Sequence, residues 1–566
     1  MSTITTQPNK EKLAALLARV RAEKAIETPA SASVSVPAPL QVSNMPTALS
    51  APTASNQSTD RFGNVITYNE KQAAFIQLAA SGASAILVGA AGTGKTTCMK
   101  GTITKLIQSD MLSRFPSNME HKYLESGTYG IAIVAFTRRA TNNIRKNVPE
   151  DIKANCITIH KLLEYQPVIY EDTNDEGETV TKRVFEPKRT QYYPLPEQLK
   201  YIIVEEASMV STDLFAQIVV ACPHKPTFIF LGDIQQLPPV FGSAILGFKM
   251  IELPTIELTE VYRQALESPI IRLAHRILSG KPIPAKELPE WLFPGELKLH
   301  SWKKKLSSDV ALHTAAKFFT GAIDSGIYNY EDDIILIPYN KAFGTDELNK
   351  FIAQHISRKA DKEVYEIVAG YNKHYYSIGD KVLYDKEDAI ITGIKRNVVY
   401  TGKATQPASK TLDYWGYDEA GHKQHTEEEI TEERMDFILA QMATDDGERV
   451  RQASHIITLA MQDSEITVNL DTASTINAMI LGYAITVHKS QGSEWDKVFL
   501  VLHQSHATML QRELLYTAVT RAKKELYVIC EPESFVNGIE SQRIKGNTLE
   551  SKIQYFKGKQ ERMEGQ

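Results

Sequence analysis

The chain has 566 residues, of which 43% are hydrophobic and 23% are charged, and its formal net charge is −5. This length exceeds what one hydrophobic core supports and predicts three or four domains. No apolar run reaches the ~20 residues that span a bilayer, and we expect no secretory signal. The net charge argues only weakly against a nucleic-acid partner, because phosphate binding depends on where the lysines and arginines lie. Four scattered cysteines form no zinc spacing and favour buried side chains in a reducing cytoplasm.

The first sixty residues differ in composition from the rest. Residues 9–25 carry leucines and a valine at helical spacing, which predicts a short amphipathic helix. Residues 27–60 are rich in Ala, Ser, Pro and Thr with almost no charge, which is typical of a flexible linker. A tethered helix of this kind is either a docking element for a partner or an incidental helix in a disordered tail.

From about residue 61, short apolar runs alternate with helical patterns, which predicts parallel α/β layers. The runs lie at 84–88, 131–135, 201–204 and 227–231, and again at 334–338, 498–502 and 525–529. Two segments interrupt the alternation: 164–199 has the pattern of a β-hairpin, and 387–475 mixes strands with an acidic helical stretch. We therefore expect a first domain at 61–163 and 200–266, a second at 267–386 and 476–540, and a solvated tail at 541–566.

The string GAAGTGKT, Gly89 to Thr96, matches G-x-x-x-x-G-K-[ST] and lies between a predicted strand and a predicted helix. Glycines allow backbone amides to turn toward phosphate oxygens, and the helix amino end adds partial positive charge. Lys95 is expected to reach the β- and γ-phosphates of ATP, and the Thr96 hydroxyl to bind Mg²⁺. The predicted nucleotide-binding residues are Gly89, Gly92, Thr93, Gly94, Lys95, Thr96 and Thr97.

Two later strands end in polar residues. The run at 201–204 ends on Glu205 and Glu206, which indicates either a strand reaching the surface or a site for metal and water. A P-loop protein needs an acidic strand end to hold its magnesium, which favours the second interpretation. The string TFIFLGDIQQLPPV (227–240) gives another strand end at Asp233, with Gln236 placed to sense a γ-phosphate or the attacking water.

A third strand end suggests a contact with single-stranded nucleic acid. Phe136, Thr137, Arg138 and Arg139 follow the run at 131–135, where an open α/β sheet presents ligand sites. Single strands are bound by phosphate donors together with flat rings on which bases stack.

These strings, with several others, resemble the motifs of superfamily 1 (1B) DNA helicases of the RecD/Dda kind, over most of 61–535. The matching strings are YNEKQ (68–72), AFTRRA (135–140), TIHKLL (158–163), ELTEVYRQ (257–264), GYAITVHKSQGSEWDKVFLV (482–501) and ELLYTAVTRAKKELYVI (513–529). The resemblance implies an α/β fold of two RecA-like P-loop domains. It also implies that the 164–199 hairpin is the family's duplex-splitting pin, with Tyr165, Tyr170 and Phe185 as candidates to stack on the end base pair. Residues 387–475 would be a small β-barrel-like domain.

The resemblance also implies an activity. It is ATP-dependent movement along single-stranded DNA, 5′ to 3′, with unwinding of forked DNA in replication, recombination or repair. The setting would be the cytoplasm of a bacterial or phage-infected cell.

The resemblance further implies roles for individual residues. Gln72 would contact the adenine, Arg263 and Arg521 would be arginine fingers, and Glu206 would orient the attacking water. Glu205 would lie on the magnesium side, where the family usually has Asp. The residues implied to grip the strand backbone are Thr158, His160, Thr486 and His488.

Two alternatives remain open at this point. One is an RNA-directed motor of the same superfamily, since no motif distinguishes the sugar of DNA from that of RNA. The other is a RecD-like subunit whose main task is assembly into a nuclease complex, for which residues 9–25 are the suspect docking element. Docking of a replication or recombination protein through the same helix is a further expectation.

Overall fold

A computed structural model describes residues 57–59, 65–173, 179–239, 242–261, 267–281, 283–284, 297–301, 305–384, 387–397, 411–417, 423–429, 452–462 and 466–564. They all belong to one compact unit, residues 56–566. The predicted helix at 9–25, the linker before residue 57, the acidic stretch from residue 430 to 442 and Arg263 lie outside the described residues and remain predictions. Residues 57–59 of the linker and 426–429 of the acidic stretch form strands, so the predictions of a flexible and a helical backbone were wrong there.

The first part of the chain alternates strands and helices, as predicted. Its elements are β1 (Gln57–Thr59), β2 (Val65–Thr67), α1 (Glu70–Ala80), β3 (Ala85–Gly89), α2 (Lys95–Gln108), β4 (Ile131–Ala135), α3 (Arg138–Arg145), α4 (Glu150–Lys153), β5 (Cys156–Thr158), α5 (Ile159–Leu162), β6 (Tyr165–Thr173), β7 (Thr179–Pro187), β8 (Tyr201–Val204), a 3₁₀ turn (Ala207–Met209), α6 (Thr212–Val220), β9 (Thr227–Gly232), α7 (Ile245–Glu252) and β10 (Thr255–Leu258). The predicted hairpin is present as β6 and β7, which pair antiparallel from Tyr165–Pro187 to Thr173–Thr179.

The second part contains α8 (Pro269–Leu278), β11 (Leu297–Ser301), α9 (Ser308–Asp324), β12 (Ile334–Ile337), α10 (Thr345–Lys359), β13 (Tyr365–Ala369), β14 (Asn372–Tyr376), β15 (Lys381–Tyr384), β16 (Glu387–Arg396), β17 (Thr411–Tyr417), β18 (Lys423–Glu429), β19 (Gln452–Met461), β20 (Thr467–Thr472), α11 (Ala473–Ala478) and β21 (Ile480–Leu481). It continues with β22 (Ala484–Thr486), β23 (Trp495–Leu502), a 3₁₀ turn (Gln504–His506), α12 (Arg512–Val519), β24 (Ala522–Cys530), α13 (Pro532–Glu540) and α14 (Leu549–Glu564).

Two parallel sheets organise the chain, which confirms the predicted α/β class. The first has the order β10-β3-β9-β8-β4-β5, and the second has the order β11-β24-β23-β12-β22. Helices cover both faces of such sheets, so their strands are apolar throughout. In β8, for example, Ile202 and Val204 enter one core cluster, whereas Tyr201 and Ile203 enter the cluster on the opposite face.

The first sheet brings three predicted site segments together. β3, β9 and β8 are neighbours, and all three run parallel. The P-loop, the Asp233 loop and the two glutamates follow the carboxyl ends of these strands, which meet at one edge of the sheet. The strand order therefore decides that motifs more than a hundred residues apart share one site.

A third, antiparallel sheet is inserted into the second part, in the order β20-β19-β16-β15-β21. It begins at Lys381 and ends at Leu481, so it extends beyond the predicted bounds of 387–475 on both sides. β20 and β21 are edge strands of this sheet among the described residues, and closure into a barrel stays a prediction. β17 and β18 form a separate hairpin.

The end of the chain differs from the expected solvated tail. α14 packs on α7, and the side chains of Phe556 and Lys552 are 3% and 0% exposed. The helix pattern alone did not indicate this burial, because the apolar residues are few and their partner is remote in sequence. The four cysteines are buried, as expected. No helix among the described residues is long and apolar enough to span a membrane.

Candidate nucleotide site and nucleic-acid interface

The P-loop between β3 and α2 has a backbone that requires glycine at two positions. Gly92 and Gly94 have φ values of 79° and 89°, in the left-handed region that side chains disfavour. Gly94 directly precedes the first residue of α2, so the amino end of this 14-residue helix faces the loop. The loop therefore has the geometry in which amides and a helix terminus receive an anion.

Lys95 folds back on the same loop. Its Nζ donates hydrogen bonds to Gly89 O (2.6 Å) and Ala90 O (3.2 Å), and Thr93 Oγ1 donates to Ala90 O (2.8 Å). The ammonium is thus held at the loop by neutral carbonyl groups, which a phosphate oxygen would outcompete because charged acceptors bind more strongly. Thr96 is exposed toward an adjoining cavity, and Thr97 is half-buried.

The two glutamates end β8 at this cavity rather than at the outer surface. The Glu205 amide still donates to Val134 O (2.8 Å), so the backbone of Glu205 belongs to the sheet. Glu206 leaves the strand with φ 50°, a left-handed conformation that is unusual for a residue with a side chain. Its amide donates to Glu205 Oε2 (2.6 Å), which fixes the first carboxylate against the turn. Backbone strain of this kind is found most often at functional positions.

Burial raises the pKa of both carboxyl groups. The Glu206 carboxylate raises the pKa of Glu205 further, whereas the Glu206 amide and Lys95 lower it. Arg521 and Lys95 lower the pKa of Glu206 against the effect of burial, and Asp233 raises it. Two carboxylates held this close resist ionising together, so cationic groups at this edge stabilise the charged pair. Of the two interpretations of this strand end, the geometry favours the site for metal and water.

A cavity of about 300 Å³ joins the two parallel-sheet domains at this edge. The first domain contributes Thr96, Glu205 and Glu206, and the second contributes Gly492, Glu494, Arg521 and Lys523. The last four residues lie just before β23 and at the start of β24. The domains therefore meet over the strand ends that carry the predicted catalytic groups.

Arg521 is held rigidly on the second-domain side of this cavity. Its guanidinium donates to Thr517 O (3.0 Å), Ser493 O (3.0 Å) and Thr520 Oγ1 (3.3 Å), and the residue is 3% exposed. The head group is therefore fixed by its own domain, at the cavity that Glu206 lines from the first domain. The finger role of Arg521 stays a prediction.

The loop after β9 is buried and fixed mainly by the second domain. Asp233 is 1% exposed and Gln236 is 6% exposed. Leu237 donates its amide to Thr517 Oγ1 (3.0 Å), and its carbonyl accepts from Gln491 Nε2 (2.8 Å). Gln236 Oε1 is buried and accepts no hydrogen bond from the described residues, so the predicted sensor keeps an acceptor available.

Tyr516 is a residue of this site that sequence reasoning missed. Its hydroxyl donates to Asp233 Oδ2 (2.5 Å) and accepts from the Ala91 amide of the P-loop (2.8 Å). Tyr516 is fully buried, and burial beside Asp233 raises the pKa of its phenol well above the usual range. The signal in the sequence is one tyrosine in the string LLYTAV, which is as typical of a packing residue.

Replacing Tyr516 by phenylalanine is expected to lower the free energy of unfolding by about 1–3 kcal/mol, because Asp233 and the Ala91 amide both lose a buried partner. Thermal or denaturant unfolding of the variant measures this. Tyr527→Phe is a matched control, since that hydroxyl lies on β24, where it accepts from Lys298 Nζ (2.7 Å) away from the cavity. If Tyr516→Phe also leaves nucleotide turnover at the level of the control, Tyr516 has no part in the site.

Gln72 lies beside the P-loop, where the predicted adenine contact requires it. It is fully buried, its Oε1 accepts from the Asn69 amide (3.1 Å), and its Nε2 lies 3.4 Å from Thr93 O. Asn69 and Gln72 thereby form a capping box at the start of α1. Its contact with a base stays a prediction.

The two Thr-x-His pairs occupy corresponding places in the two domains. Thr158 ends β5 and Thr486 ends β22, and both strands are sheet edges. Each hydroxyl accepts a hydrogen bond from the amide three residues later, at 3.2 Å and 3.3 Å. His160 and His488 are both partly buried, and burial lowers the pKa of His488. The structure thus places these four residues in two equivalent positions.

The residues after β4 are engaged within the protein. The Phe136 ring packs edge-on against His160 at 5.7 Å, and Thr137 Oγ1 accepts the Ala140 amide (3.2 Å) as the cap of α3. A Cβ on Gly492 would lie 2.6 Å from this hydroxyl, so the second domain touches the cap directly. Arg138 and Arg139 form ion pairs with Glu387 and Asp388 at the start of β16.

The aromatic hairpin residues predicted to stack on the duplex do not all lie in similar positions. Tyr165 lies at its base, where the ring packs on His160 at 4.9 Å and the hydroxyl bonds Gln217. Phe185 is 62% exposed on the other arm, and the Tyr170 side chain lies outside the described residues. Tyr165 is therefore a packing residue, and a stacking role for Phe185 stays a prediction.

The class that this fold and site define is a two-domain P-loop protein with its nucleotide site between the domains. Comparison with sequence families agrees: the AAA domain family matches residues 67–290, and the UvrD-like helicase C-terminal domain family matches residues 481–529. The first match spans the P-loop, the glutamates and Gln236. The second spans the Thr486–His488 pair and Arg521.

Two proteins with curated names are similar to this chain over most of its length. The ATP-dependent RecD2 DNA helicase of Deinococcus radiodurans is 27% identical over 484 residues, which cover 85% of this chain and 51% of that protein. The RecBCD enzyme subunit RecD of Mycolicibacterium smegmatis is 22% identical over 509 residues, covering 86% and 75%. The chain thus spans about half the length of the first of these relatives. The resemblance to RecD-like superfamily 1 helicases, predicted from the motifs, is confirmed.

Solved structures of Pif1 helicases are also similar. A Bacteroides Pif1 in complex with ADP-AlF3 and single-stranded DNA has 16% identity and a TM-score of 0.42, covering 87% of this chain and 98% of that one. At this TM-score the similarity carries no conclusion about the present chain.

Proposed function

We propose that this protein is an ATP-dependent DNA helicase that moves along single-stranded DNA from 5′ to 3′ and unwinds forked DNA. The observation that carries the proposal is the shared cavity, in which Thr96, Glu205 and Glu206 of one domain face Arg521 of the other. A nucleotide bound there would contact both domains, so its hydrolysis would change how they are held together. One cycle of opening and closing per ATP is a means of movement along a strand.

The residues present fit ATP with Mg²⁺. Gly92 and Gly94 give the loop an open backbone, and Lys95 Nζ donates to the neutral carbonyl groups of Gly89 and Ala90. The Thr96 hydroxyl and the Glu205 carboxylate line one cavity, and hard oxygen ligands of this kind suit magnesium. The metal, when bound, would neutralise phosphate charge, while Glu206 holds the attacking water and Arg521 stabilises the transition state.

Single-stranded DNA is proposed to cross the edges of both sheets at the two Thr-x-His pairs. Because the pairs lie at equivalent positions on β5 and β22, each domain would have one contact with the strand backbone. Movement by alternating contacts requires one such contact in each domain. Arg138 and Arg139 lie beside the first Thr-x-His pair, and DNA phosphates would compete for them with Glu387 and Asp388. Docking of a replication or recombination protein through residues 9–25 remains part of the proposal without structural support.

Replacing Glu205 by aspartate is expected to change the Mg²⁺ concentration that gives half-maximal ATP turnover by about three- to tenfold, because the shorter side chain withdraws an oxygen from the metal side. A magnesium titration of ATPase rate measures it. Glu494→Asp is the matched control, since Glu494 lines the same cavity from the opposite domain. An unchanged magnesium dependence in Glu205→Asp would mean that Glu is merely tolerated at this position.

Unwinding of duplexes with either a 5′ or a 3′ single-stranded tail tests the proposed function. We expect ATP-dependent unwinding of the 5′-tailed DNA alone. Preference for the 3′ tail would overturn the direction, and no unwinding of either would overturn the motor. Matched DNA and RNA oligonucleotides in the ATPase assay separate a DNA helicase from an RNA-directed motor.

The curated relatives named RecD also motivate the subunit alternative. Among the described residues, no group of three or more His, Cys, Asp and Glu side chains is arranged to hold a metal ion. Efficient unwinding by the isolated monomer would count against a role that depends on a complex.

A further inference from the structure

Residues 541–564 connect the two domains in a way that the motifs do not indicate. Residues 541–548 lie against the start of α12, in the second domain. The Arg512 amide donates to Ser541 O (2.8 Å), and Arg512 Nη1 donates to Asn547 Oδ1 (2.8 Å). Glu513 accepts the amides of Arg543 (3.3 Å) and Ile544 (3.0 Å). The segment is thus attached to the helix that carries Tyr516.

The helix that follows packs on the first domain instead. Phe556 of α14 enters the core cluster that contains Leu246 and Met250, and its ring meets Phe248 edge-on at 5.4 Å. The ring lies directly over Gly247, where any Cβ would collide with it. Lys559 Nζ donates to Ser243 Oγ (2.8 Å) on the same domain.

Lys552 of α14 contacts the loop that carries Asp233 and Gln236. It is 0% exposed, and its Nζ donates to Ile234 O (3.2 Å), in the loop between Asp233 and Gln236. The charged groups around it are Asp233, Glu257, Arg512 and Glu513, which come from three different elements, and burial lowers its pKa to about 8. A buried ammonium is costly unless it is paired, so its placement at a loop carbonyl calls for a reason.

The 233–237 loop is therefore held from both sides. Tyr516, Thr517 and Gln491 bind it from the second domain, and Lys552 binds it from α14. We propose that residues 541–564 form a strap between the two domains, and that Lys552 is a positioning residue that keeps the Gln236 loop aligned with the second domain during turnover. This inference rests on the proposed ATPase function and adds a residue that acts on the site through the loop.

Lys552→Met in the full-length protein tests the strap, with Lys557→Met as the matched control, because Lys557 is an exposed lysine on the same helix. We expect Lys552→Met to lower kcat of DNA-stimulated ATP hydrolysis about tenfold, because Ile234 O loses a charged donor. KM for ATP and affinity for single-stranded DNA should change less than about twofold, since neither the P-loop nor the strand contacts are altered. Lys557→Met should behave like the unchanged protein.

Several outcomes would overturn the strap. These are an unchanged kcat in Lys552→Met, an equal loss in Lys557→Met, or a rise in KM that matches the fall in kcat. Gly247→Ala provides a second variant if Lys552→Met does not fold, because it displaces Phe556 without removing any charge, and it should also lower kcat with little change in KM. An unchanged protein that hydrolyses no ATP with DNA present would refute the proposed function itself, which separates the two failures.

Discussion

Replacing Lys95 by alanine is expected to lower ATP turnover by roughly 10³-fold or more, because the γ-phosphate loses the one cation that the P-loop supplies. Lys95 lies on the loop itself, bonded to Gly89 O and Ala90 O. Single-stranded DNA binding should remain measurable, since the two Thr-x-His pairs are on other strands. Steady-state ATPase and a fluorescence binding assay measure the two properties.

Lys105→Ala is the matched control for this prediction. Lys105 lies on the same helix, α2, ten residues further along, and carries no predicted role. It should leave both turnover and DNA binding close to those of the unchanged protein. Retained turnover in Lys95→Ala would overthrow the P-loop assignment. Loss of both properties together would indicate that Lys95 stabilises the fold rather than the nucleotide.

Replacing Arg521 by alanine is expected to lower kcat by about 10³-fold or more while KM for ATP changes by less than about threefold, because an arginine finger acts mainly on the transition state. Arg521 is fixed on the second domain by Thr517 O and Ser493 O, and it faces Glu206 across the cavity. Arg521→Lys should not restore the rate, since a lysine keeps the charge without the planar fork.

Lys523→Ala is the control for Arg521, because Lys523 lines the same cavity but pairs with Glu494 at 3.4 Å and is half-exposed. Exposed pairs contribute little, so kcat should change only slightly. The unfolding midpoint of Arg521→Ala must be measured as well, since the side chain is buried and donates three hydrogen bonds. Equal losses in kcat and nucleotide affinity would argue against a finger.

Much of the fold could be predicted from the sequence, because its signals are local. Apolar runs such as 131–135 and 201–204 are strands at the predicted bounds, since a strand covered on both faces needs an unbroken apolar string. The P-loop was predictable for the same reason: its glycines, Lys95 and Thr96 lie within eight residues, between a strand and a helix. The tail was not predictable, because Phe556 is buried by α7, some 300 residues earlier.

The glutamate pair shows what the sequence indicates about the site and what only the tertiary structure adds. The sequence by itself placed Glu205 and Glu206 at the end of a strand. A P-loop protein needs an acidic group at such a position, which made the pair a candidate for the site. Only the tertiary structure decided that they face a cavity, because the order β3-β9-β8 brings their strand beside that of the P-loop. It also gave Glu206 a φ of 50°, which no spacing of residue types encodes.

The sequence by itself therefore determined the α/β class, the nucleotide loop and the family resemblance, which depend on contiguous patterns. The tertiary structure alone decided which distant side chains meet: Tyr516 with Asp233 and Ala91, Arg138 with Glu387, and Lys552 with Ile234. The physical reason is that each of these is a single polar contact between elements hundreds of residues apart. Such a contact leaves no periodicity in the chain, and only the packing of the three sheets, their helices and the C-terminal helix brings its partners together.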